Sequence, residues 1–162
     1  MNVPIKYIPK RLSRKDKAKQ KKQLKKSRNA YKKGIYIHRK PLKSFKNKKS
    51  QHILNAEKIY KVNKIIVNNN LAKKTGCSIK ALNKIVKKGQ GAYYSSGSRP
   101  NQTAHSWGIA RLASSISGGK AAAVDYNILV EGCNTKSRAL KLAKKSRIKN
   151  GYGTRKVAKT KI

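Results

Sequence analysis

The sequence predicts a mainly α-helical protein with a small helical core and long basic arms. The chain of 162 residues carries 43 Lys and Arg against 4 Asp and Glu, a formal net charge of +39. Segment 91–133 holds only three of these cations, so self-repulsion is lowest there and a core forms most easily. Apolar residues around it recur at helical spacing. We therefore expect a basic N-terminal arm, partly helical (1–49), a helical core (50–133) that includes the charge-poor segment 89–133, and a basic C-terminal helix and tail (134–162).

The N-terminal arm is expected to order only in part. Pro4 and Pro9 favour extended backbone over residues 2–10. Ser13 is a plausible N-cap, with Asp16 at the third helical position, for a helix that ends at Gly34. Its apolar residues are too sparse for a buried face, so we expect a frayed helix that a polyanion would order. Residues 35–49 are read as a short strand or an extended linker.

The core is predicted to begin with a helix over 51–62, with Ser50 at its N-cap position. Residues 71–88 predict two helices around a turn at Thr75-Gly76, with Ser78 capping the second and Gly89 ending it. This pattern has the form of a helix-turn-helix. The favoured interpretation is nevertheless an ordinary αα-hairpin that packs its apolar stripe on the core, because short helix-turn-helix matches are common in folds that do not bind DNA.

Three further segments complete the helical reading. A helix that carries Trp107 is predicted from about Thr103 to the glycines at 118–119. The apolar run 120–130 fits either a helix or a buried strand. Thr135 is expected to cap a last helix that ends at Gly151, followed by a tail over 152–162.

Composition narrows the classes of partner. Lysine dominates over arginine, and lysine suits the phosphate backbone better than bidentate reading of bases, so double-stranded DNA or another polyanion is expected first and an acidic protein surface second. Cys77 and Cys133 are too few and too far apart for a disulfide framework, which predicts a reducing compartment. No apolar run approaches the ~20 residues of a membrane span.

The cations of the two basic helices are the predicted nucleic-acid contacts. They are Lys15, Lys17, Lys19, Lys21, Lys22, Lys25, Lys26, Arg28, Lys32, Lys33, Lys141, Lys144, Lys145 and Arg147.

A second group of residues is predicted to hold the core and its Gly/Pro loop together. These residues are Tyr93, Arg99, Trp107, Arg111 and Asp125. Either arginine is expected to pair with Asp125, because buried charge in so basic a chain needs its few acids. Trp107 is expected to be buried between helices 104–117 and 78–88, beneath the Tyr93-Tyr94 pair. The alternative for the loop is an anion cradle of serine hydroxyls and backbone amides at a helix start.

Catalysis is weakly supported. A loop serine with His105 and Asp125 formally matches a nucleophile, base and acid, but serines in a Gly/Pro loop are usually turn formers. The histidines and cysteines are not spaced as metal ligands. We expect no enzyme activity, no cofactor, no metal and no small-molecule substrate.

Two stretches carry a resemblance to a known group of proteins. The first is LAKKTGCSIKALNKIV (71–86) followed directly by KKGQGAYYSSGSRPNQTAHSWGIARLASSISGGKAAAVDYNIL (87–129). It resembles an uncharacterised basic domain of large double-stranded DNA viruses, the phycodnavirus and mimivirus relatives, and its most specific portion is GAYYSSGSRPNQTAHSWGIAR (91–111). The start VPIKYIPKRLSRKDKAKQKKQLKKSRNAYKKG (3–34) is similar to the same group. The resemblance implies viral origin and a place in the particle or its assembly, with no established activity.

The expected function is therefore that of a non-enzymatic virion structural protein, a minor capsid or internal component. Its basic arms would bind packaged DNA or acidic capsid surfaces, so capsid or virion proteins are expected partners. The expected location is the virion and, before assembly, the cytoplasm or nucleus of the infected cell. The alternative is a free nucleic-acid-binding module, either a helix-turn-helix regulator or a ribosomal-type RNA binder.

Overall fold

The computed structural model describes residues 1–153 and 157–162, and its fold is mainly helical, as the sequence predicts. The described residues form eight α-helices, one short 3-10 helix (Ile5–Tyr7) and one two-stranded sheet. The helices are α1 (Arg14–Tyr31), α2 (Gln51–Tyr60), α3 (Asn69–Thr75), α4 (Ile79–Ser95), α5 (Ala104–Ile116), α6 (Lys120–Val124), α7 (Tyr126–Gly132) and α8 (Arg138–Asn150), and the strands are β1 (Asn2–Pro4) and β2 (Lys159–Lys161).

The described residues fall into two compact units. The first contains residues 1–48, 90–107 and the chain end from 157, and the second contains 49–89 and 108–153. This grouping differs from the division into arm, core and tail that the sequence suggested. The N-terminal segment folds together with the loop and helix ends of 90–107 instead of standing apart as an arm.

Helix α1 has a buried face, contrary to the expectation from its sparse apolar residues. Its N-cap Ser13 accepts a hydrogen bond from the Asp16 backbone N–H at 3.2 Å, as the capping pattern predicted. The buried face consists of residues one helical turn apart: Asp16, Gln20, Leu24 and Ser27. Because three of these four side chains are polar, a search for apolar periodicity does not find the stripe. Leu24 packs with Val3 and Tyr7 in a small apolar cluster.

The two chain ends pair with each other. Strand β1 lies antiparallel to β2, with Val3 opposite Thr160, and the Ile5 amide donates to the Ala158 carbonyl at 3.0 Å. The predicted extended start is therefore part of a sheet, and the predicted tail over 152–162 ends in a strand. Residues 154–156 of that tail lie outside the described residues.

Segment 35–49 contains no strand, although the sequence suggested one as an alternative. It is fixed instead by side chains. Leu42 and Phe45 are buried with Leu12, and the Asn101 amide bonds the backbone N–H of Leu42 at 2.7 Å and the carbonyl of Phe45 at 2.6 Å. Asn101, whose φ is +58°, thereby ties this segment to the 95–103 loop.

The second unit contains the largest apolar core. The predicted stripe of α4 is buried there except for Ile79, which is 37% exposed. The apolar face of α5 and α7 complete this core, whose fully buried residues include Leu82, Ile85, Leu112, Ile116 and Leu129. Helix α4 does not end at Gly89 but continues to Ser95. A Cβ on Gly89 would lie 2.6 Å from the Gly108 Cα, so this glycine permits a close helix–helix approach instead of ending the helix.

The remaining boundaries decide one alternative that the sequence left open and correct one predicted N-cap. The run 120–130 is helical, as α6 and α7, with the break at Asp125. Ser137, and not Thr135, caps α8, because its Oγ accepts from the Leu140 N–H at 3.2 Å. Gly151 ends α8, as predicted.

Cys77 and Cys133 form a disulfide, although their number and separation predict no disulfide framework. Cys77 follows α3 and Cys133 follows α7, and the two turns are also joined by backbone hydrogen bonds from Ser78 N to Gly132 O (2.8 Å) and from Asn134 N to Gly76 O (2.7 Å). Because the two cysteines are 56 residues apart in the sequence, their spacing does not reveal that they lie close together in the fold.

Within the described part of the chain, none of the helices combines the length and apolar character needed to cross a bilayer.

Candidate nucleic-acid interface

The outer side of α1 presents most of the predicted cationic contacts to solvent. Six lysines of the helix are exposed, Lys17 and Arg28 are partly exposed, and Lys32 and Lys33 are exposed just beyond its end. Because the buried stripe occupies one side of the helix, these cations lie on the remainder in rows of turn-to-turn neighbours. One row is Lys15, Lys19, Lys22 and Lys26, and the other is Lys21, Lys25, Arg28 and Lys32.

Little negative charge opposes these rows within the first unit. Asp16 is the only acidic side chain among that unit's described residues. Its Oδ2 accepts hydrogen bonds from the Ser44 hydroxyl (2.6 Å) and the Ser44 amide (2.9 Å). These bonds, and then the nearby charges of Lys19 and Lys15, hold the pKa of Asp16 below its usual value. The carboxylate therefore fixes segment 42–46 to the start of α1, and it forms no direct ion pair with the outer rows among the described residues.

Arg39 organises the first unit, and the sequence did not single it out. Its Nη1 donates to the Ser27 hydroxyl and the Tyr93 carbonyl, each at 2.9 Å, and its Nη2 donates to the Ser98 hydroxyl at 2.8 Å. The guanidinium carbon also lies 3.7 Å from the centre of the Tyr93 ring. Burial lowers the pKa of Arg39. Among so many cations, no local signal distinguishes this one; only the fold shows that it joins α1, α4 and the loop.

Four aromatic side chains of the first unit form what we call the aromatic cluster: Tyr31, Tyr36, His38 and Tyr94. They meet edge to face, with centroid separations of 5.9 Å for Tyr31–Tyr36, 5.1 Å for Tyr36–Tyr94 and 5.9 Å for His38–Tyr94. Tyr36 is 62% exposed. The buried Tyr93 supports the cluster from behind, at 5.0 Å from Tyr94.

The serine hydroxyls at the end of α4 and in the loop between α4 and α5 already have hydrogen-bond partners. The Ser98 hydroxyl is bonded to the Arg99 carbonyl at 2.8 Å in addition to Arg39, and the hydroxyls of Ser95 and Ser96 bond each other at 3.4 Å. Tyr93 Oη accepts from the Arg39 amide at 3.1 Å. These contacts favour the structural interpretation of the loop over an anion cradle, because the hydroxyls already have partners.

Trp107 does not occupy the predicted position. It is half-buried and packs edge to face on Tyr7, with the ring centres 5.8 Å apart, against the cluster that contains Val3 and Leu24. The prediction placed it between the 104–117 and 78–88 helices beneath the tyrosine pair. That prediction is wrong because the residues that cover Trp107 come from the N-terminal segment, which the sequence predicts to be an arm.

Asp125 is the centre of a buried ion-pair network in the second unit. Arg111, and not Arg99, pairs with it, through Nε–Oδ2 at 2.9 Å and Nη2–Oδ1 at 2.7 Å. Ser115 Oγ donates at 2.9 Å and Lys88 Nζ lies 3.2 Å away. Burial alone would raise the pKa of Asp125, but the hydrogen bond and charge of Arg111, followed by Ser115 and Lys88, lower it overall. The exposed Arg99 belongs to the first unit and makes no ion pair within the described residues.

The predicted contacts on α8 separate into two kinds. Lys141, Lys144 and Lys145 are exposed. Arg147 instead packs its guanidinium over the rings of Tyr126 (5.0 Å) and Tyr152 (4.2 Å) and donates to the Ala123 carbonyl at 3.0 Å. It therefore acts as a packing residue of α8.

The second unit also contains a cationic cavity of about 300 Å³ that the sequence reading missed. Its charged lining residues are Lys73, Lys74, Lys136 and Arg138, with no acidic side chain among the lining residues. The cavity lies beside the disulfide, between Gly76 on one turn and Asn134 on the other.

Residues that could support catalysis or hold a metal are already engaged or dispersed. In the described residues there is no cluster of three His, Cys, Asp or Glu side chains that could ligate a metal. The carboxylate oxygens of Asp125 are already bonded to Arg111, Ser115 and Lys88. His105 is exposed at the start of α5 in the first unit.

Comparison with known proteins gives a family match. The model of a family of unknown function, DUF5824, matches residues 4–129. No curated protein and no solved structure matches the chain.

Proposed function

The chain belongs to the DUF5824 family of unknown function, and we propose from its own surface that it is a non-enzymatic nucleic-acid-binding protein that contacts the phosphate backbone without sequence preference. The observation that carries the proposal is the outer side of α1. This side holds two rows of cations. Asp16, the only acidic side chain among the unit's described residues, is hydrogen-bonded to Ser44.

Helix geometry suits these rows to a phosphate backbone. The 18 residues of α1 span roughly 27 Å at ~1.5 Å per residue. At ~3.4 Å per nucleotide along one strand, this length faces roughly eight phosphates. Lysine supplies compact, solvated charges that neutralise phosphates without reading base edges.

We expect the affinity for nucleic acid to fall steeply as the salt concentration rises, and we expect the lysines of α1 to contribute to that slope. Each neutralised phosphate contributes a slope of about −0.9 to log K against log salt. Replacing Lys22 and Lys26 by Gln should therefore make the slope shallower by about 1.8, with similar affinity loss on duplexes of unrelated sequence. Fluorescence anisotropy with labelled duplexes at several salt concentrations measures both quantities.

The matched control removes the same charge elsewhere. Lys58 and Lys64 are exposed residues of the second unit that lie outside the proposed interface. Lys58→Gln with Lys64→Gln should leave the slope unchanged within error. Equal effects of the two double variants would mean that binding follows net charge and has no defined surface, and a flat salt response of the wild type would refute nucleic-acid binding itself.

We propose the virion as the setting of this function, on the resemblance of 3–34 and 71–129 to proteins of large DNA viruses. In that role the bound polyanion is packaged DNA, or an acidic surface of a capsid or virion protein. Mass spectrometry of purified intact particles tests this role. The protein should be present at constant stoichiometry after nuclease and high-salt washes, and its loss with the wash would contradict a structural position.

The second candidate is a helix-turn-helix regulator, which one feature of the second unit favours. The turn between α3 and α4 is followed by a helix whose exposed residues include Lys80, Asn83 and Lys84. An asparagine on such a helix can bond an adenine edge. Selection from random duplexes separates the two functions, because a regulator enriches one sequence and a backbone binder enriches none.

A further inference from the structure

We propose that the aromatic cluster is a stacking site for the bases of single-stranded nucleic acid. The inference rests on the proposed function and deepens it: the lysine rows would hold any nucleic-acid backbone, whereas the cluster would prefer strands whose bases are unpaired.

The first argument is exposure. Tyr36 is 62% exposed and its neighbour Ile35 is 55% exposed, although large apolar side chains normally contribute to a core. His38 is exposed as well, and Tyr31 and Tyr94 are half-buried. An edge-to-face chain of rings leaves part of the ring faces to solvent, and those faces are where a base can stack.

The second argument is rigidity. The turn after α1 is closed by hydrogen bonds from Gly34 N to Tyr31 O and from Ile35 N to Ala30 O, each at 3.0 Å. Gly34 adopts a φ of +74°, which brings Tyr36 back to the helix end. Behind the cluster, Tyr93 is locked by the Arg39 guanidinium. The rings are thus held in place before any ligand arrives, which lowers the entropy cost of binding.

The third argument is charge, which identifies the occupant. Lys32 and Lys33 are exposed and separate Tyr31 from Tyr36 along the chain. With Arg28 they continue the cationic row of α1 up to the cluster. A groove that combines cations for the backbone with aromatic rings for the bases is the arrangement that single-strand binders use. A duplex keeps its bases stacked inside, so it can use the lysines but not the rings.

The test compares three ligands of equal length: a 12-nucleotide oligo-dT, an abasic 12-mer with the same phosphates, and a 12-base-pair duplex. Wild-type protein should bind oligo-dT more tightly than the abasic strand. Tyr36→Ala should weaken oligo-dT binding by between about 5-fold and 100-fold. The abasic and duplex affinities should not change. Tyr36→Phe retains the ring and should keep most of the oligo-dT affinity.

Tyr152→Ala is the matched control, since Tyr152 is 73% exposed but lies in the second unit. It should leave oligo-dT affinity unchanged. If Tyr36→Ala alters none of the three affinities while all three ligands still bind, the stacking site is refuted and backbone binding stands; this is also the result expected of a surface that serves a protein partner. If Tyr36→Ala weakens all three equally, stacking is refuted too. If the wild type binds none of them, the proposed function itself fails.

Discussion

Asp125 shows how a single side chain can anchor the second unit in a chain with so few acids. It is 1% exposed and accepts a bidentate pair from Arg111. Removing one partner of a buried pair leaves the other charge uncompensated. Asp125→Asn should therefore lower the free energy of unfolding by about 3–5 kcal/mol, measured by urea denaturation. The exposed Glu131 is the control, and Glu131→Gln should change stability by less than about 0.5 kcal/mol.

The same residue predicts the sensitivity to acid. The pKa of Asp125 is lower in the folded protein than its ordinary value, so its ionised form stabilises the fold above about pH 4. That contribution is lost as the pH falls through the folded pKa. Wild-type stability should decline below pH 4 more steeply than that of Asp125→Asn. Parallel declines in the two proteins would show that other groups govern acid unfolding.

At the level of single residues, the sequence predicted pairing of Asp125 with an arginine but could not predict the role of Arg39. The Asp125 network is predictable because acids are so rare that each must be shared. Arg39 has only neutral partners, which come from α1, α4 and the loop. Because these partners are serine hydroxyls and a backbone carbonyl, the sequence around Arg39 does not show that its guanidinium bonds them.

At the level of the element, a substitution on the buried face of α1 tests whether the N-terminal segment folds without a ligand. Leu24 is 1% exposed and packs with Val3 and Tyr7, beside Trp107. Leu24→Ala should cost about 2–4 kcal/mol in the first unit. Because Trp107 is the only tryptophan, its fluorescence reports this cluster, and it should shift to the red at a lower urea concentration in the variant.

The control for α1 is its exposed neighbour Lys25, since Lys25→Ala should leave the Trp107 transition in place. Equal transitions for Leu24→Ala and wild type would mean that α1 is the frayed helix its composition suggested.

Helix α1 also shows which helix faces the sequence pattern fails to predict. Helix α4 was found because its buried stripe is apolar, whereas α1 buries Asp16, Gln20 and Ser27 around one leucine. Apolar periodicity cannot reveal a face that is held by hydrogen bonds.

At the level of the whole molecule, a net charge of +39 opposes compaction. The fold offsets this with cross-links between distant parts of the chain: β1 with β2, the Asn101 contacts to segment 42–45, and the disulfide. The sequence predicted the fold class and the helices with apolar faces. It did not predict these long-range links, because each depends on which segments meet and not on the composition of either one.

The disulfide gives the last prediction, which concerns the second unit as a whole. In the chain-entropy account, a bridge across 56 residues stabilises by about 4 kcal/mol, because it restricts the unfolded chain. Reduction of the wild type, or the pair Cys77→Ala and Cys133→Ala, should lower the free energy of unfolding by an amount of that order. Hydrogen exchange should show the loss in α3, α7 and α8, where the bridged turns lie, while the Trp107 fluorescence of the native protein stays unchanged. Thiol titration of the unreduced, unfolded protein comes first, because two titratable thiols there would show that the bridge does not form.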